Sequence, residues 1–92
     1  MRVTCELYGP FRDPVGTKSL EREVAADATV RDVFAALADD YPALGDDLFD
    51  DGTFADSVIV LRNDRNVAHQ CGAETPVADG DVLSAAPAVE GG

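Results

Sequence analysis

Residues 27–42 read DATVRDVFAALADDYP, and the spacing within them decides the architecture. Apolar side chains recur at Val30, Val33, Phe34, Leu37 and Tyr41. That is the i, i+3, i+4, i+7, i+11 rhythm of one helix face, so the stretch predicts an amphipathic helix with a buried stripe. Thr29 is a good N-cap, and Asp32, three residues on, supplies the acidic end of a capping box. Pro42 ends the helix, because its ring disfavours helical geometry in the residue before it.

Outward from this helix the period changes to two. Upstream, RVTCELY (2–8) sets Val3, Cys5 and Leu7 against Arg2, Thr4, Glu6 and Tyr8, the alternation of a half-buried strand with Cys5 in the core. SLEREVA (19–25) alternates again through Leu20 and Val24, and GPFRDPVGTK (9–18) joins the two runs as the loop of a hairpin. Downstream, ADDYPALGDDLFDDGTFAD (38–56) reads as a solvated acidic loop. The four apolar residues Val58–Leu61 are too few for a helix and predict a strand with both faces covered, or with one face kept for a partner. NDRN (63–66) is a turn, VAH (67–69) a short strand, and Asp79-Gly80 a turn before a last strand over 81–86. The order is strand, strand, helix, strand, short strand, strand. This predicts one α+β domain over residues 1–86, a mixed four- to five-stranded sheet packed on one main helix, followed by a flexible tail over 87–92.

Composition narrows the function classes. The 92 residues carry 18 acidic against 7 basic side chains, a net charge of -11, with Lys18 the only lysine. Such a surface repels phosphates, which argues against nucleic acid as a partner. Aspartate-rich, nearly lysine-free composition is like that of proteins from extreme halophiles, where dense salt screens self-repulsion. No apolar run approaches the length of a membrane span and no secretory signal opens the chain, so a soluble cytoplasmic protein, monomeric when free, is expected. The aspartates lack the alternate-position spacing of a calcium loop, and Cys5, Cys71 and His69 lack metal-ligand spacing, so no metal site is expected and both cysteines read as free thiols. GPFRDPVG has neither the lysine nor the serine or threonine of a P-loop, and no carboxylate pair or Ser-His pairing stands out, so an enzyme is not indicated.

The chain ends PAVEGG, two residues without a Cβ that contribute nothing to a core. Taken with YGPFRDPVG, ATVRDVFAALADDYPAL, VLRN and DGDVLSAAPAVEGG in that order, this ending resembles the MoaD and ThiS sulfur carriers and the small archaeal ubiquitin-like modifiers of haloarchaea. The resemblance implies a ubiquitin-like β-grasp with its first and last strands adjacent at the sheet centre. It also implies a carrier without catalytic activity and without a bound cofactor. The C-terminal carboxylate of Gly92 would be adenylated by a ubiquitin-activating-type enzyme that uses ATP and magnesium. Conjugation to lysines of target proteins would follow, or conversion to a thiocarboxylate that serves molybdopterin synthesis, beside a synthase large subunit, or tRNA thiolation.

On the same resemblance Pro87, Val89, Glu90 and Gly91 contact the partner, with Pro87 limiting the swing of the tail. Relatives often have a proline and a small residue where this chain has Ala88 and Glu90, and NDRNVAHQCGAET is longer than their usual turn, which leaves Cys71 a loop residue. Lys18 is the one side-chain amine able to accept another copy. The alternative to this reading is a β-grasp interaction module whose tail is inert.

Overall fold

The computed structural model describes residues 1–88. Five strands form one mixed sheet in the order β2-β1-β7-β5-β6, with β1 over Arg2–Leu7, β2 over Ser19–Glu23, β5 over Val58–Arg62, β6 over Arg65–Asn66 and β7 over Val82–Pro87. β1 and β7 run parallel at the centre and every other pair is antiparallel. Helix α1, Val30–Asp40, lies on one face. Its cap is the expected box: Thr29 Oγ1 accepts from the Asp32 amide, and Asp32 Oδ2 accepts from the Thr29 amide at 3.0 Å.

The core forms where the two periods meet. Val30, Val33, Phe34 and Leu37 from α1 bury against Val3, Cys5 and Leu7 of β1, Leu83 and Ala85 of β7 and Val60 of β5. Cys5 points inward as its alternation requires.

Two expectations are corrected. The stretch 38–56 is not a loop: Pro42 closes α1 but opens a second helix, α2, Pro42–Leu48. Proline suits the first helical turn because the amide it lacks would have no partner there. Leu44 and Leu48, one turn apart, carry α2 into the core. Gly45 allows the close approach, since a Cβ there would lie 2.9 Å from that of Ala38. Next comes a hairpin, β3 (Phe49–Asp50) with β4 (Thr53–Phe54), turning on Asp51 and Gly52 at φ 56° and 84°, the left-handed pair a two-residue hairpin demands. Phe49 stacks on Phe54 with ring centres 5.0 Å apart, and Phe54 meets Phe34 edge-on.

VAH is likewise not a strand. The Asn66 side chain accepts from the Ala68 amide and draws Val67–His69 into a 3-10 turn; the short strand is instead Arg65–Asn66, paired with Leu61 and Arg62, and the turn expected over 63–66 shrinks to Asn63-Asp64. Among the described residues no helix is long and apolar enough to cross a membrane.

Candidate functional site: the exit of the last strand

β7 begins at Val82, one residue later than its sequence suggests, with the Asp81 carbonyl still accepting from the Thr4 amide and its side chain turned to the corner after β5. The Asp81 carboxylate, 6% exposed, accepts from Arg62 Nε at 2.6 Å, Asn63 Nδ2 at 2.9 Å and the Ala78 amide at 2.7 Å. Burial alone would raise the Asp81 pKa, but the hydrogen bonds from Arg62, Ala78 and Asn63 outweigh it and hold the carboxyl below its ordinary range. This knot ties the start of the last strand to the end of β5 and the turn that follows it.

The other end of β7 is where the chain leaves the sheet. Thr4 donates its amide to the Asp81 carbonyl at 2.9 Å and Tyr8 to the Ala85 carbonyl at 3.0 Å. The next rung of that parallel ladder would have residue 87 donate to the Tyr8 carbonyl. Residue 87 is proline, which has no N–H, and the Tyr8 carbonyl accepts instead from Phe11 at 3.3 Å, inside a 3-10 turn over Gly9–Arg12. The ladder to β1 stops there. On the other side Pro87 pairs with Val58, and Ala88 donates to the Ser57 carbonyl at 2.8 Å. The boundary expected after residue 86 therefore shifts: Pro87 belongs to the sheet, and Ala88 is still tied to it. Val89, Glu90, Gly91 and Gly92 lie outside the described residues.

Beside this exit the sheet face away from α1 is mildly apolar. Register sets Ile59 and Leu61 of β5 beside Ala86 and Ser84 of β7, with Val82 and Tyr8 flanking, all half-buried apart from the buried Ser84. The run Val58–Leu61 thus serves both faces, Val58 and Val60 toward the core and Ile59 and Leu61 toward the open side. Tyr8 donates its hydroxyl to Glu6 at 3.1 Å, which raises the phenol pKa.

Lys18 is exposed, with its ammonium 4.9 Å from the centre of the Tyr8 ring, in reach of a cation–π contact. The structure therefore brings Lys18, Tyr8 and Pro87 to one end of the sheet. His69 and Cys71 lie past Arg62, toward the opposite end of β5. Both cysteines are free, Cys71 exposed and Cys5 fully buried. Burial pushes the Cys5 thiol up to about 11, which leaves it unreactive near neutral pH.

Gly9 had no role in the sequence reading beyond its place in the hairpin loop over 9–18. It sits at φ +59°, and a Cβ added to it would lie 3.1 Å from Pro87 Cγ and 3.3 Å from Cδ. A Gly-Pro pair immediately after a strand was the available signal, but its contact with the other end of the chain was not readable there.

The chain is similar to proteins of known name over its whole length. A model of the ThiS family matches residues 5–92. Small archaeal modifier protein 3 of Haloferax volcanii is 40% identical over 92 residues, spanning 100% of both chains. The crystal structure of SAMP1 from Haloferax volcanii superposes with a TM-score of 0.86 at 31% identity, again over 100% of each chain. A chain in the crystal structure of the Amycolatopsis orientalis BexX/CysO complex superposes with a TM-score of 0.84 at 30% identity, covering 98% of this chain and 99% of that one.

Proposed function

The chain belongs to the ThiS family and has the ubiquitin-like β-grasp fold, and on that premise we propose that it is a small protein modifier and sulfur carrier activated at Gly92. The observation that carries this reading is that the family match runs through Gly92, with a modifier protein aligned over its full length. A carboxylate resists attack because it is negatively charged and would have to expel oxide. Activation removes that obstacle: a carboxylate oxygen of Gly92 attacks the α-phosphorus of ATP, pyrophosphate leaves, and the carbonyl becomes a mixed anhydride with AMP. Hydrosulfide then displaces AMP to give a thiocarboxylate, or a lysine amine displaces it and loses a proton to give an isopeptide.

The chain itself supplies shape. Pro87 and Ala88 deliver the last residues from the centre of the sheet, and Gly91 and Gly92 pass a narrow channel because they lack a Cβ. Val89 and Glu90 contact the channel walls. The half-buried open face around Ile59, Leu61 and Ala86 receives the adenylating enzyme, since it is the mildly apolar surface beside the exit of an otherwise acidic molecule. Target-protein lysines, or a molybdopterin synthase large subunit, are the later partners. ATP and magnesium belong to the activating enzyme, and this chain holds no cofactor of its own. The chain in the BexX/CysO complex supports the expectation that a protein of this shape works seated on another.

The test is incubation with ATP, magnesium, the cognate adenylating enzyme and a sulfur source. Expected are ATP–pyrophosphate exchange and an intact-mass gain equal to replacement of one oxygen by sulfur. A chain that supports neither, with an enzyme active on its own carrier, is the inert interaction module instead.

A further inference from the structure

We infer that Gly9 is a positioning residue for this activation: with the ring of Pro87 it forms a collar that fixes where the chain leaves the sheet. The inference rests on the reading above for its consequence, but the collar itself rests on contacts among described residues. Two glycines of the β1–β2 connection adopt left-handed backbone, Gly9 at φ +59° and Gly16 at φ +82°. Backbone geometry alone accounts for Gly16, because nothing lies within 4 Å of the Cβ it lacks. Gly9 meets a second demand, since its missing Cβ makes room for the Pro87 ring.

The collar is held on three sides. Phe11, buried in the core, anchors the 3-10 turn that carries Gly9. The Tyr8 amide grips Ala85, and Ala88 is bonded to Ser57 beyond the ring. Pro87 ends the pairing with β1 while the pairing with β5 continues for one more residue. The departing chain therefore starts from a fixed point at Ala88. Fixing the backbone of a residue costs conformational entropy. A collar that already holds residues 87 and 88 leaves fewer residues to be ordered when the carboxylate is aligned, which is preorganisation.

The inference is tested by two readouts on the full chain: hydrogen exchange of the Ala88 amide, and pyrophosphate exchange with the carrier as varied substrate. Gly9→Ala should lower Ala88 protection and reduce kcat about tenfold, the equivalent of leaving one more residue free, while KM stays unchanged because the docking face is untouched. Gly16→Ala carries the same backbone strain without the ring contact and should leave both readouts at the wild-type level. Should Gly9→Ala not fold, Gly9→Asn supplies the Cβ with a residue that tolerates left-handed backbone, and the same two losses are expected.

Unchanged Ala88 protection in the Gly9 variants, or losses matched by Gly16→Ala, overturns the collar. So does a loss confined to KM. A wild-type chain that supports no pyrophosphate exchange sinks the activation reading and with it the positioning role, whatever the Ala88 amide shows.

Discussion

Along β1 and β7 the core side chains Val3, Cys5, Leu7, Leu83 and Ala85 are held by partners from the opposite end of the chain. The segment from Asp39 to Asp56 instead makes many of its contacts locally: Leu44 and Leu48 lie one helical turn apart, and Phe49 stacks on Phe54 across a two-residue turn. That segment has seven aspartates and no basic residue, all on exposed positions. It tolerates them because its apolar residues fall on one side only. On the central pair the charged residues Arg2 and Glu6 likewise stay on the side away from the core. Its neighbouring buried carboxylate, Asp81, is retained with three donors around it, as a buried charge must be. Charge is thus spread over exposed positions in the acidic segment and held by dedicated donors where it is buried, at the start of the strand from which the exit of the chain hangs.

The largest effect expected at the exit is on activity. Deleting Gly91 and Gly92, or adding one alanine after them, should cut pyrophosphate exchange by about a hundredfold or more, because misplacing a reacting group by about 1 Å can cost that much. Stability in a denaturant melt should change by no more than about 0.5 kcal/mol. A truncated chain that unfolds would make the glycines structural and erase the contrast between exit and core.

The acidic segment contributes to the core in spite of its charge, and Leu48→Ala tests that. Leu48 is fully buried, so its truncation should cost about 3 kcal/mol in a urea melt. A loss below about 1 kcal/mol would return the segment to the status of a surface loop.

Asp81→Ala should cost about 2 kcal/mol, because its donors lose a buried acceptor. Its carboxyl is held below the ordinary value in the folded state, while the unfolded value is near 3.9. The contribution is therefore complete above that unfolded value and is lost as the pH falls through the lower folded one. The wild type should lose more stability than Asp81→Asn between neutral pH and about pH 3. Parallel pH profiles would place the stabilising interaction elsewhere.

A smaller effect separates the acidic surface from the rest. Melting temperature should rise between about 0.1 M and about 2 M KCl, as screening relieves repulsion among the aspartates. Chloride is preferable to sulfate, which strengthens burial in any protein. Asp46→Asn with Asp47→Asn and Asp50→Asn should flatten the slope; an unchanged slope would show that these carboxylates do not repel one another appreciably.

Lys18→Arg should leave stability within about 0.5 kcal/mol and pyrophosphate exchange intact, since Lys18 is exposed. It keeps the charge over Tyr8 and removes the only side-chain amine. If the chain is conjugated as proposed, self-linked chains should disappear while conjugates to other proteins persist; Gly-Gly remnants on Met1 would move the acceptor to the N-terminal amine.

Much of this molecule was legible one stretch at a time. The capping box of Thr29 and Asp32, the stripe from Val30 to Leu37, the inward Cys5 and the turn at Asn63 and Asp64 are local, and short-range spacing determines them. The sequence also contained signals that went unread. Pro42 opens α2 as well as closing α1, and Asp51-Gly52 is a hairpin turn; a high density of aspartate masked both, because charge marks which side faces water and not whether the backbone is ordered.

What the tertiary structure alone decided depends on residues distant in the chain. The Asp81 knot needs Arg62 and Asn63, which lie 19 and 18 residues away along the chain. The open face needs the register that puts Ile59 beside Ala86. The point of exit needs Gly9 against Pro87, a contact between the two ends of the chain. Spacing along a sequence encodes which side of an element is apolar. It does not encode which rung of a ladder a missing N–H will break, because that depends on the strand lying alongside.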